Sequence, residues 1–265
     1  MDTKDKVLLA GPWVGELGWE LFCWQAYIRK LSRNYKKTYV ISRPGQAFLY
    51  SDFADQYHEF DPKSWETSLH RCFNMKANPS ELLKNLQYDH YFSGDWEMPI
   101  FYDGNEFIDK EGYFYSQEFH IYKPTKDVKK YDIIIHPRNK TTGSERNWSF
   151  NKWQNLVHSL RETYSIGCIG NMEAFKISGA DDLRGIPLED TVSYMGNCKL
   201  VVGPSSGPMH LASLCNKKHL VWSTEVNRLR YESVWNPFNT ELKFISEGDW
   251  DPDVFLIEKS IREFI

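Results

Sequence analysis

The chain has 265 residues, 41% of them hydrophobic and 26% charged, which fits a globular protein with a real core and excludes a disordered or fibrous chain. A formal net charge of −4 argues against a dedicated nucleic-acid surface, which needs a basic excess, while leaving room for a local basic cleft. Ten Trp within a 15% aromatic share are high, and an aromatic core accounts for most of them.

Residues 6–10 (KVLLA) read as a buried strand that ends at Gly11. A glycine-punctuated turn, GPWVGELGW, then leads into an amphipathic helix over about 19–34. Residues 38–44 give the next strand, closed by Pro44. Between 45 and 125 the pattern yields short strands near 57–60 and 89–92 and a helix near 80–86. The polar, lysine-rich stretch 122–132 reads as a linker. After it come a strand at 132–137, a helix at 149–164, a strand at 165–170, a helix at 187–198 and strands at 199–203 and 218–223. Asp181 and Asp182 read as loop, and residues 253–265 have helical periodicity. Strands alternating with helices imply parallel sheets with ligands at the carboxyl ends of the strands. The expected class is therefore α/β, with two Rossmann-like parallel-sheet domains facing a cleft. The domains are expected over residues 1–125 and 126–250, with a terminal helix over 251–265 expected to pack back on the N-terminal domain.

Cys23, Cys72, Cys168, Cys198 and Cys215 are odd in number and widely spaced, with no CxxC pair or His/Cys cluster. Reduced thiols in a cytoplasmic setting, and no metal site, are expected. MDTKDKVLLAG lacks the apolar region of a signal peptide, and no stretch approaches a membrane span. DWDPD at 249–253 contains a D-x-D spelling, yet its place before the final helix favours turn and N-cap chemistry over metal binding.

The sharpest motif is VVGPSSGPMHLAS at 201–213, a strand that turns on two glycines and two prolines into a helix. Such a turn aims unpaired backbone N–H groups and the positive end of a helix dipole at one point, and small residues let an anion approach it. Ser205, Ser206 and Gly207 would bind a diphosphate there, and His210 would donate to an oxygen as charge develops. The bland alternative makes Ser205 a helix cap and His210 a core residue. Arg138, Lys140 and Arg146 follow a strand, where loop residues meet ligands. They would supply positive charge in place of a metal ion.

Gly203-Pro-Ser-Ser-Gly-Pro-Met-His-Leu-Ala212, together with HPRNKTTGSERNWSFNKWQNL and IGCIGNMEAF, resembles the C-terminal domain of the heptosyltransferases, bacterial glycosyltransferases of the GT-B fold (family 9-like). The resemblance covers roughly 130–225 and implies a nucleotide diphosphate sugar as donor, a hydroxyl acceptor, no cofactor, no metal and inversion at the anomeric carbon. It places Arg146 nearest the family's phosphate-binding lysine and gives Glu173 the ribose hydroxyls; Thr224, by its place at the end of the 218–223 strand, is expected to line the same pocket. In the N-terminal half, Gly15-Glu16 matches a Gly-Asp pair, which implies that Glu16 is the general base; helix capping is its alternative, and Glu20 the competing carboxylate. Ser205 and Glu16 each stand where the family has Asp, so heptose is not carried over. His136-Pro-Arg-Asn139 is also similar to a fucosyltransferase motif. An epimerase on this fold, or a non-catalytic nucleotide- or carbohydrate-binding protein, are the remaining alternatives.

Overall fold

The computed structural model describes residues 3–61, 79–93, 101–103, 106–108 and 117–265, so Cys72 lies outside the described residues. The chain divides into two units, Met1–His120 and Ile121–Ile265.

In the first unit, β1 (Val7–Trp13), β2 (Lys37–Ser42), β3 (Gln56–Glu59) and β4 (His90–Phe92) form a parallel sheet in the order β3-β2-β1-β4. β1 does not stop at Gly11. That residue has φ +125°, and a Cβ there would collide with the Ile41 carbonyl on β2, so glycine lets the strand continue. The expected single helix is three pieces: α1 (Leu17–Trp19), a π turn (Glu20–Trp24) and α2 (Gln25–Ser32). Trp24 on the π turn stacks on Trp13 at 5.7 Å, both fully buried. α3 (Ser80–Leu83) falls in the expected place, and β5 (Phe101–Asp103) pairs antiparallel with β6 (Glu106–Ile108).

The second unit contains β7 (Ile133–Ile135), α4 (Phe150–Leu160), β8 (Ile166–Gly170), β9 (Asp181–Arg184), α5 (Leu188–Asn197), β10 (Leu200–Pro204), α6 (Gly207–Leu214), β11 (His219–Trp222), β12 (Leu242–Ile245) and α7 (Val254–Phe264). Its six strands are parallel in the order β12-β11-β10-β7-β8-β9. Counted from β7 as first, this is the doubly wound order, which reverses direction between β7 and β10. Ile133, Ile135, Leu200, Val202, Leu220 and Trp222 cover one face beneath α4 and α7. Ile134, Val201 and Val221 alternate to the other face and are equally buried, as a sheet covered on both sides requires. Each such side chain contributes roughly 1.5–3 kcal/mol by burial.

Two expectations change. β9 occupies what reads as loop, because it is an edge strand with only Leu183 buried and its charges in surface ion pairs, Lys129–Asp181 and Arg184–Asp182. Ile257 and Ile261 of α7 lie in the core of the second unit, beside α4. The start of that unit also moves from 126 to Ile121, because residues read as linker are stitched into it. Tyr122 is buried with its amide on the Leu214 carbonyl at 3.0 Å, Thr125 bonds Ser193 and Glu189, and Lys126 pairs with Asp190. Among the described residues, no helix is long and apolar enough to cross a membrane. Cys23, Cys168, Cys198 and Cys215 are buried, and burial pushes the Cys168 and Cys198 thiols up to about 12.

Candidate functional site

The reversal between β7 and β10 brings the loops after those two strands side by side at the carboxyl edge of the sheet, where doubly wound folds take ligands. After β10, Gly203 keeps the turn tight: a Cβ there would lie 3.0 Å from Met209 Sδ and 3.3 Å from the His136 carbonyl. Ser206 sits at the N-cap position of α6, yet its hydroxyl donates back to the Pro204 carbonyl (2.9 Å) and not to the helix. Gly207 and Pro208 then open α6, whose N-terminal dipole charge is not masked by a capping side chain.

Ser205 and His210 are buried beneath this turn and meet at a residue that sequence reasoning missed. Tyr231 lies on a π turn (Arg230–Val234) after β11, in a stretch without periodicity that gives no sequence signal. Its hydroxyl donates to Ser205 Oγ at 2.9 Å and lies 3.2 Å from His210 Nε2. The phenol stacks on the imidazole at 4.6 Å and 17°, and Trp235 meets the imidazole edge-on at 4.4 Å. Burial holds the His210 pKa well below the ordinary histidine value, and the positive charges of Arg230 and Arg146, with His219, push the same way. His210 is therefore a neutral imidazole engaged by Tyr231. Ser205 is not the helix cap, since Ser206 holds that position.

The loop after β7 is built around Arg138, only 2% exposed. Its guanidinium donates to the Gly143 (2.8 Å) and Thr142 (2.7 Å) carbonyls and to Asn147 Oδ1. Expected to face a diphosphate, Arg138 is instead occupied in holding its own loop. Asn147 closes that loop on the Lys140 amide (3.1 Å) and carbonyl (2.7 Å), leaving the Lys140 side chain exposed. Arg146 ends a 3-10 turn (Ser144–Arg146), paired loosely with Glu145 at 4.0 Å and lying 5.9 Å over the Trp250 ring. Its charge reaches both His210 and Tyr231, so it joins the two loops electrostatically. Trp250 is the second residue missed, hidden in DWDPD. There the acidic residues do turn and cap work: Asp253 accepts from the Phe255 amide at 2.8 Å and Asp251 pairs with Lys152 at 2.7 Å.

A cavity of about 510 Å³ opens beside this loop, lined by Asn139, Lys140, Thr141, Ser144, Asn147 and Glu173. Glu173 is exposed, accepting from Asn171 at 3.2 Å, while its carbonyl accepts from Asn139 at 2.9 Å. Lys140 and Glu173 thus both line this cavity. Thr224 stands after β11, where its hydroxyl accepts from Asn227 at 3.3 Å.

In the first unit, Glu16 follows β1 at the edge where the strand order also reverses, between β1 and β4. It holds the N-cap position of α1 without a side-chain capping bond, so capping does not explain it. Glu20 differs sharply. It is fully buried, accepts from Ser42 Oγ (2.6 Å) and the Tyr50 hydroxyl (2.7 Å), and pairs with Arg43. Burial and the Glu20 charge raise the Tyr50 pKa well above the usual phenol value. Glu20 is thereby a structural anchor. Among the described residues, no group of three or more His, Cys, Asp or Glu is placed to hold a metal ion.

No family model matches the chain, and no curated protein matches it by sequence. Solved structures do match. The iron-containing dodecameric glycosyltransferase TibC of enterotoxigenic E. coli superposes with a TM-score of 0.53 at 16% identity, covering 84% of this chain. This chain spans only 60% of TibC's length. A family 9 glycosyl transferase of Veillonella parvula gives 0.59 at 12% identity, covering 100% of this chain and 91% of that one. E. coli heptosyltransferase WaaC with ADP gives 0.58 at 12% identity over 97% of both chains. The fold is heptosyltransferase-like, with two α/β parallel-sheet units.

Proposed function

We propose that this protein is a glycosyltransferase that moves a sugar from a nucleoside diphosphate donor to an acceptor hydroxyl. One observation carries the reading: the loops after β7 and β10 meet at the reversal of the doubly wound sheet, where they present an uncapped helix start, Arg146 and a cavity walled by Lys140 and Glu173. That a solved relative of this fold holds ADP supports the same ligand class.

In this mechanism the donor diphosphate lies against the 203–207 turn, and the α6 dipole with Arg146 and Lys140 offsets charge as the nucleotide leaves. Arg138 acts by keeping Arg146 and Lys140 in place. Glu173 receives ribose hydroxyls, and Thr224 completes the wall. Glu16 takes the proton of the acceptor hydroxyl, and direct displacement inverts the anomeric centre. Neither metal nor cofactor takes part. The test is a thermal-shift screen of nucleoside diphosphates, followed by detection of nucleotide released from donor sugars with and without a hydroxyl acceptor. Ligand binding to the native state must raise the melting midpoint. Absence of any shift, or release independent of acceptor, would overturn the proposal.

A further inference from the structure

We propose that Arg230 is a second anion-binding arginine, which stands opposite Arg146 on the other flank of the β10–α6 turn and contacts the distal phosphate of a nucleoside diphosphate. The inference rests on the reading that this turn takes such a ligand, and adds which residue tells a diphosphate from a monophosphate.

The sheet order sets which loops flank the turn. β10 lies between β11 and β7, so the loop that carries Arg230 borders the 203–207 turn on one side and the loop that carries Arg146 borders it on the other. Two contacts tie the 230–235 stretch to this place. The Tyr231 and Ser205 hydroxyls lie 2.9 Å apart, and Trp235 meets the His210 ring of α6 at 4.4 Å. The charges of Arg230 and Arg146 both reach His210 and Tyr231, which lie beneath the turn.

Each guanidinium is backed by an indole: Arg230 lies 5.0 Å over Trp235, and Arg146 5.9 Å over Trp250. A ring holds a guanidinium by its face, adds no opposing charge and leaves the N–H fork at the edge for a phosphate oxygen. Arg228, close by in the chain, shows the other arrangement. Glu225 and Glu232 hold it at 2.6 and 2.9 Å, and its charge is offset there. Among the described residues, the buried Arg146 Nε has no hydrogen-bond acceptor. Two indole-backed arginines from separate loops thus offer forked donors on both sides of one turn, which suits bidentate contacts to phosphate.

Position along the carboxyl edge assigns the phosphates. Lys140 and Glu173 follow β7 and β8, on the Arg146 side of the turn, so a ligand with its ribose there runs from β8 toward β11. Arg146 then meets the phosphate next to the ribose, and Arg230 the one beyond it, which carries the sugar in a donor. A monophosphate ends at Arg146 and gains nothing from Arg230.

Calorimetric titration of the full chain with paired probes tests this: ADP with AMP, GDP with GMP, UDP with UMP, and inorganic pyrophosphate. Wild type is expected to prefer the diphosphate of its pair about tenfold, and no preference overturns the proposal. Arg230→Gln is expected to weaken the diphosphate about tenfold and the matching monophosphate less than about twofold, whereas Arg146→Gln weakens both about tenfold. An arginine that only packs its turn would move both ligands together. Equal losses in Arg230→Gln therefore overturn the assignment, as does a diphosphate affinity equal to wild type. If Arg230→Gln does not fold, Arg230→Lys, which keeps the cation and loses the fork, is expected to lose about threefold on the diphosphate alone, and the same two results count against the proposal. Wild type that binds pyrophosphate but no nucleotide overturns the nucleotide reading alone if Arg230→Gln weakens pyrophosphate about tenfold, and the proposal as well if it does not. Wild type that binds none of these probes overturns both.

Discussion

Acidification from pH 7 to 5 is expected to strip about 4 kcal/mol from the folding stability through two histidines alone. His136 and His219 are both buried, and burial is the largest cause that lowers each to about 4; Lys140 and Arg138 add to the effect at His136, while the Ile169 and Lys217 carbonyls oppose it. In the unfolded chain each returns to about 6.5. The folded values being lower, the unfolded chain binds more protons between pH 4 and 6.5. Stability therefore rises with pH across that window and is complete above it. Integrated from pH 7 to 5, each histidine accounts for about 2 kcal/mol, and near pH 5 the pair sets a slope of roughly 2 kcal/mol per pH unit. His210 acts in the same direction. The lowered carboxyls of Asp132, Asp182 and Glu225, each at about 2, lose their contribution only below about pH 4.5 and stay out of the window. Urea denaturation at pH 7, 6 and 5 measures the effect as a falling midpoint at constant m. A total change below about 1 kcal/mol would refute the reasoning, because histidines that stay exposed or charged in the native state give no such slope.

Glu16→Gln should lower turnover by about a hundredfold or more while leaving donor binding and melting temperature near wild type, as read by initial rates and calorimetry. Turnover should survive excess EDTA; loss that Mn²⁺ or Fe²⁺ restores would return attention to metal chemistry. Arg146→Ala is expected to weaken nucleoside diphosphate binding about tenfold at nearly unchanged melting temperature, whereas Arg138→Ala should lower the melting temperature as well, since its guanidinium ties residues 142, 143 and 147 together. Glu20→Ala, which removes the buried carboxylate that Ser42, Tyr50 and Arg43 share, should cost roughly 3–5 kcal/mol in urea denaturation.

Much of the second unit was legible because its strands are short apolar runs bounded by glycine and proline, and α4 carries a clear apolar stripe of Trp153, Leu156, Val157 and Leu160. The site's backbone was legible for the same reason: a strand, two glycines and a helix start are local signals. What failed was non-local. Tyr231 reaches Ser205 from 26 residues away, and no spacing rule links them. Arg138 looked like a ligand contact because basic loop residues usually face solvent, but three acceptors in its own loop claim it. β9 was missed because an edge strand needs only one buried side chain, and β1 was cut short because glycine usually ends a strand, whereas here it relieves a collision with β2.

The π turn at Glu20–Trp24 has a consequence for how the chain tolerates insertions and deletions. Its closing bond runs from the Gln25 amide to the Glu20 carbonyl, so the helix carries one residue more than α geometry needs. Deleting any residue within 20–24 would restore a regular helix while turning α2 by about 100° relative to α1. Arg29 would then leave Asp52 and the Glu118 carbonyl, which it now meets at 2.6 and 3.1 Å, and Ile28 would rotate off the core. A homologue without the surplus residue must therefore differ at those partners too, and an alignment that opens its gap here should find the length change and the polar partners changing as one inherited block.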